Sequence, residues 1–112
     1  MQHHMNLHNE PFEEIKSGTK TVEMRLFDGK RRAIKIDDVI TFTNVLTNEQ
    51  LNVKVVDIQT FATFDELYKS FDKVSIGYNQ QDVANSNDML AYYTVEQIEQ
   101  FGVVAICIKL CL

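Results

Sequence analysis

No stretch of this chain is apolar for long. The longest uncharged apolar run, Val103 to Ile108, falls far short of the ~20 residues that a membrane-spanning helix needs. The N-terminus, MQHHMNLHNE, has neither the basic segment nor the apolar segment of a secretory leader. Both absences point to a cytoplasmic protein. Cysteine is scarce as well, with Cys107 and Cys111 as its two copies. On a single strand, residues four apart have Cα atoms roughly 13 Å from one another, whereas a disulfide needs them within about 7 Å. Reduced thiols are expected, and C-x-x-x-C on a strand is not a metal-ligand spacing. His3, His4 and His8 add no better ligand set, so neither a metal nor a cofactor is expected.

An excess of positive charge is also missing. The formal net charge is −5, which argues against a protein that grips nucleic acid non-specifically through a basic surface. The distribution is uneven, however. Residues 1–35 carry seven Lys and Arg against five acids, and residues 36–112 carry four against eleven. Basic charge is therefore concentrated around one stretch, SGTKTVEMR at Ser17 to Arg25, and the DGKRR that follows at Asp28 to Arg32.

The chain shows no internal repeat, linker or low-complexity segment, and 112 residues suit one domain spanning 1–112. Its periodicities predict the elements. Met5 and Leu7 alternate in a first strand over His3 to Leu7. Asn9 is placed to cap a short helix that buries Phe12 and Ile15, and Gly18 to stop it in a left-handed turn. From Thr21 the period becomes two, with Val22, Met24 and Leu26 on one face and Glu23 and Arg25 on the other. Lys30 to Arg32 read as a turn or single helical turn. A hairpin follows, with strands from Val39 and from Leu51 joined through LTNEQ at Leu46 to Gln50. Thr63 and Glu66 fit a capping box ahead of a helix to about Phe71. A polar loop covers roughly 72–85, and a helix or helical pair covers Ser86 to Phe101, where Thr94 and Gln97 form a second capping box and Gly102 ends it. The closing strand, Val103 to Leu110, is apolar on both faces and so belongs inside a sheet. The expected class is α+β, mainly β: a small closed or nearly closed barrel with about three short helices around it.

The pattern G-x-K-x-x-E-x-R, present as Gly18, Lys20, Glu23 and Arg25, resembles the signature of the ASCH domain family, whose fold is PUA-like. The resemblance continues through residues 11–44, SFDKVSIGY and YYTVEQIEQFGVVAICI, and is to small stand-alone bacterial members. One departure stands out: Asp37-Asp38 replaces the usual Gly-Asp, which puts Asp in a turn suited to a positive φ. By resemblance the chain binds RNA or a modified nucleotide through a cleft built from Lys20, Glu23 and Arg25. Lys30, Arg31 and Arg32 are candidates for phosphate contacts, and Tyr78, beside Gly77, for covering a base. Tyr92 and Tyr93 read as core and its edge.

The resemblance also implies an alternative, because some small ASCH proteins are amidohydrolases acting on N(4)-acetylcytidine and others are linked to RNA cleavage. In the amidohydrolase branch a lysine, a threonine three residues later and a separate glutamate carry the reaction. Lys20 fits, and Lys20 with Glu23 is the candidate catalytic pair, but Glu23 stands where the threonine would be. An anion there favours the ammonium over the free amine that a base or nucleophile needs. Asp82 or Asp88 is the candidate for a further carboxylate.

Overall fold

A computed structural model describes residues 1–111. Five strands, β1 (Gln2–Leu7), β2 (Val22–Leu26), β3 (Val39–Asn44), β4 (Gln50–Phe61) and β5 (Val103–Leu110), form one sheet in the order β1-β3-β4-β5-β2. β1 runs parallel to β3, and the other neighbours are antiparallel. The sheet curls into a half-barrel, because β4 is long, breaks register between Val55 and Asp57, and bends there as a bulged strand does.

Two of the expectations need correction. The barrel is open, since β1 and β2 end the sheet and do not pair. Side chains span the seam between them instead: Arg25 on β2 donates to the Asn6 carbonyl at 2.9 Å, and Lys30 donates to the His4 carbonyl at 2.8 Å. These carbonyls lie on the outer edge of β1, where a sixth strand or β2 itself would otherwise bond. The helices number five among the described residues rather than about three. They are α1 (Asn9–Ser17), α2 (Gly29–Arg32), α3 (Phe64–Ser70), a 3₁₀ helix (Ser86–Ala91) and α4 (Val95–Phe101). The difference arises at two places. Asp28 accepts from the Arg31 amide and makes GKRR a true helical turn, and Tyr92 to Thr94 divide the last helical region into two pieces.

Both faces of the sheet are covered. Inside the curl, Phe12 and Ile15 of α1 pack on Met5, Ile40, Phe42, Val53, Val55, Val104 and Ile106. Outside, Phe64 and Leu67 of α3 pack on Val22, Met24, Leu26, Val103 and Ala105, with Ile76 and Met89. β5 contributes to both clusters, which is why its sequence is apolar on both faces. The helix ends follow their capping chemistry with two exceptions, at α1 and at α3, where the Glu66 carboxylate accepts from the Ala62 amide and leaves the Thr63 box half formed. Gly18 is left-handed at φ 88°, Thr63 accepts from the Glu66 amide, and Thr94 and Gln97 form a full capping box. The N-cap of α1 is His8 rather than Asn9, and the Asn9 side chain accepts from Asn44 instead. Asp37 adopts φ 76°, the positive value that the replaced glycine would have favoured. Asp38 beside it accepts from His3, from the Lys35 amide and from the N-terminal amine, which fastens β1 to the start of β3. The His3 bond leads these in holding the carboxyl down at about 2.

Gly102 carries a specific backbone demand. It has φ 69° and ψ −173°, a region essentially confined to glycine, and an added Cβ would meet the Phe61 carbonyl oxygen at 3.0 Å. Its own carbonyl accepts from the Phe27 amide, so a shift there also disturbs the end of β2. Gly102→Ala is expected to cost about 2 kcal/mol of stability, read as a lowered midpoint in urea unfolding. An unchanged midpoint would show that the turn relaxes freely.

Candidate functional site

The site begins where α1 stops. The Gly18 turn lets the amides of Thr19 and Lys20 both donate to the Glu14 carbonyl, at 3.1 Å each. That fixes Lys20 at the entrance to β2. Register then sets the direction of the next residues. Glu23 pairs with Ile106 and Arg25 with Val104, both of the inner cluster, and residues paired across a ladder share a face. The two charged residues therefore point into the curl of the sheet, at the rim of its apolar filling.

Burial makes the pairing stringent there. Glu23 is 3% exposed and Lys20 7%. The Glu23 carboxylate has Lys20 Nζ 3.1 Å from Oε1 and Arg25 Nη2 3.0 Å from Oε2. Arg25 Nε also donates to Oε2 and the Met24 amide to Oε1. Burial alone would raise the Glu23 pKa, but the Lys20 ammonium and Arg25 guanidinium outweigh it and leave the group below its ordinary range. Glu23 is thus held as an anion, and its two cations are held in place by it.

A cavity of about 410 Å³ opens above this triad, within the ~300–1,000 Å³ range of small-molecule sites. One wall is α1, with Glu10, Pro11 and Glu14. The other comes from residues 76–93, joined by Tyr68 of α3. This second wall is tied to β2 because the Ser75 carbonyl accepts from the amides of both Thr21 and Val22. Gly77, at φ 112°, passes within 3.5–3.7 Å, from the position of an added Cβ, of the Lys20 side chain and of Glu14 Oε1.

Four tyrosines face the space: Tyr68, Tyr78, Tyr92 and Tyr93. The Tyr78 hydroxyl lies 2.6 Å from Asp88 Oδ2 and 2.9 Å from the Tyr68 hydroxyl. Its one proton goes to the carboxylate, so Tyr68 donates in the second bond. The rings meet edge to face at 5.8 Å. Burial, followed by the bond to Asp88, pushes the Tyr78 phenol well up from its usual value. Both tyrosines are neutral, braced ring walls. Tyr93 stacks on Phe64 at 6.0 Å, while Tyr92 is 63% exposed at the rim.

The chain matches the ASCH domain over residues 5–111. It belongs to the ASCH domain family. The crystal structure of hypothetical protein PH0355 is similar to this ASCH chain with 32% identity and a TM-score of 0.84, covering 99% of this chain and 100% of that one. The solution structure of protein PF0455 from Pyrococcus furiosus is similar with 32% identity and a TM-score of 0.77, covering 98% and 97%. No curated protein of known role matches the chain.

Within this ASCH fold the candidates from the sequence divide. Lys20, Glu23, Arg25 and Tyr78 meet in the cavity, and so does Asp88, whereas Asp82 is not in its lining. Lys30, Arg31 and Arg32 lie outside the lining as well. Lys30 bridges the seam, Arg31 pairs with Asp28 at 2.9 Å, and Arg32 sits over the Phe27 ring at 4.3 Å. Sequence reasoning missed Glu14 and Tyr68. Glu14 sits one turn before Gly18 on α1, so a helical face shared with Glu10 was the available signal. Its carboxyl is raised, mainly by burial, with Lys20 opposing. Among the described residues no group of three or more His, Cys, Asp or Glu side chains is arranged to hold a metal ion, and no helix is long and apolar enough to cross a membrane.

Proposed function

We propose that this ASCH protein binds RNA or a modified nucleotide, taking one base into the cavity above Lys20, Glu23 and Arg25. The observation that carries the reading is the cavity itself. Its floor is a fixed array of hydrogen-bonding ions, and its walls are tyrosine rings against which a base can stack. Arg25 engages Glu23 and Asn6 through Nε and Nη2, which leaves Nη1 to meet a base carbonyl. Lys30 and Arg32 supply positive charge outside the cavity for the phosphates of a longer strand, and Arg31 could join them only by leaving Asp28.

A short single-stranded RNA titrated into ¹⁵N-labelled protein tests this. Amide shifts are expected to concentrate at Lys20, Arg25, Gly77 and Tyr78. Shifts confined to other surfaces, or none for any nucleotide, would oppose the reading. Affinity should fall only gently with salt, because few phosphates are neutralised and each adds less than about one unit to the log–log slope. Arg25→Lys, which keeps a charge for Glu23 but loses the planar fork, should weaken binding more than Lys30→Ala does. Equal losses would mean that charge alone is read.

One observation favours the hydrolytic alternative: Glu14 places a second, raised carboxyl in the same cavity as Lys20, as an amide hydrolase needs for proton transfer. Against it, Lys20 faces Glu23 at 3.1 Å, and an ammonium has no lone pair with which to attack. Acetate release from N(4)-acetylcytidine by wild type, lost in Lys20→Ala, would reverse the preference.

A further inference from the structure

The ionisable groups around the cavity are unbalanced. Glu10, Glu14, Glu23 and Asp88 face it, with His8, against Lys20 and Arg25; Glu23 is shared by both cations, so that triad keeps one positive charge against the three remaining carboxylates. Among the described residues the Glu10 and Glu14 carboxylates have no hydrogen-bond or ion-pair partner, and Asp88 uses only Oδ2, toward Tyr78. The unmatched charge of this partly desolvated space is therefore negative. Such a space repels a phosphate, and it favours a ligand that brings positive charge and N–H donors. The Tyr68 and Tyr78 rings, held edge to face by their own hydroxyl chain, add faces that attract a cation.

Resting on the base-binding reading above, we infer that the cavity selects a nucleobase that is cationic at neutral pH, of the ring-N-methylated class, over its neutral parent. The ring lies against the tyrosines, its charge is met by Glu14, Glu10 and Asp88, and any phosphate stays outside. The carboxylates that lack partners gain them, and the repulsion among them falls. A neutral base offers the same stacking area without that gain. A nucleoside monophosphate carries its dianion toward an anionic mouth.

Calorimetric titrations of the wild-type protein at neutral pH with 1-methyladenosine and adenosine, and with 3-methylcytidine and cytidine, test the inference. The methylated member of each pair is expected to bind about tenfold or more tightly. Adding a 5′-phosphate should weaken it. Glu14→Gln, which preserves shape, should cut the preference for the methylated member by about threefold or more. Equal or tighter binding of the neutral parent, a gain from the phosphate, or spermidine binding as tightly as the methylated nucleosides would overturn it, the last because charge alone would then be read. If no nucleoside binds while single-stranded RNA does, this inference falls and the base-binding reading must move to another surface. If RNA fails as well, both fall.

Discussion

Glu23→Ala is expected to cost about 3–5 kcal/mol of folding stability, the range for removing one partner from a buried ion pair. The loss is large because the buried carboxylate is the shared counter-ion of Lys20, which has almost no access to water, and of the partly buried Arg25. Without it Lys20 and Arg25 must be charged and unpaired beside the inner core, or the strand must shift to let water in. Chemical denaturation measures the cost. If the single variant fails to fold, the triple change Lys20→Met, Glu23→Leu, Arg25→Met decides the matter. It removes every charge together, and is expected to recover most of the stability while abolishing ligand binding, because buried ion clusters are often replaceable by apolar groups of similar volume. A Glu23→Ala protein as stable as wild type would show that the triad is hydrated in solution.

The same residue gives a pH dependence. The folded-state pKa of Glu23 lies below its ordinary value of 4.5. Its contribution is therefore complete above that value, and is lost as the pH falls through the folded pKa. Acid unfolding of the wild type should contain this component, and Glu23→Gln should lack it.

The second large effect concerns the ligand. Tyr78→Ala is expected to weaken RNA or nucleotide binding about 10- to 100-fold, the loss associated with one stacking side chain. Tyr78→Phe separates the two roles of this residue. It keeps the ring and breaks the chain from Tyr68 to Asp88, so it should cost much less affinity. Binding by fluorescence anisotropy, with folding checked by circular dichroism, reads both variants. Similar losses in the two would mean that the hydroxyl chain matters more than the ring face.

The charged motif was legible in the sequence because its geometry is local. Gly18 can only stop α1, and period two can only place Glu23 and Arg25 together, so a face shared by the two follows from neighbours a few residues apart. Which face it was could not be read that way. A charged strand face normally meets solvent, and here it lies inside the curl because β2 pairs with β5, some eighty residues later. The opposite wall was hidden for a related reason. The 72–85 region looked like a polar loop, yet Ile76 is buried and the Ser75 carbonyl holds β2. Tyr92 and Tyr93 read as core and its edge, but Tyr92 is largely exposed beside the cavity. The open barrel was also out of reach, because no local pattern announces that two edges will be joined by side chains rather than by a ladder.

Arg25 belongs to both the cavity floor and the seam, through Glu23 and through the Asn6 carbonyl. Its Nε and Nη2 are held by these two partners, so the guanidinium meets a ligand already fixed from both edges of the half-barrel. The open seam thereby becomes part of the frame that orients the cavity floor before anything binds.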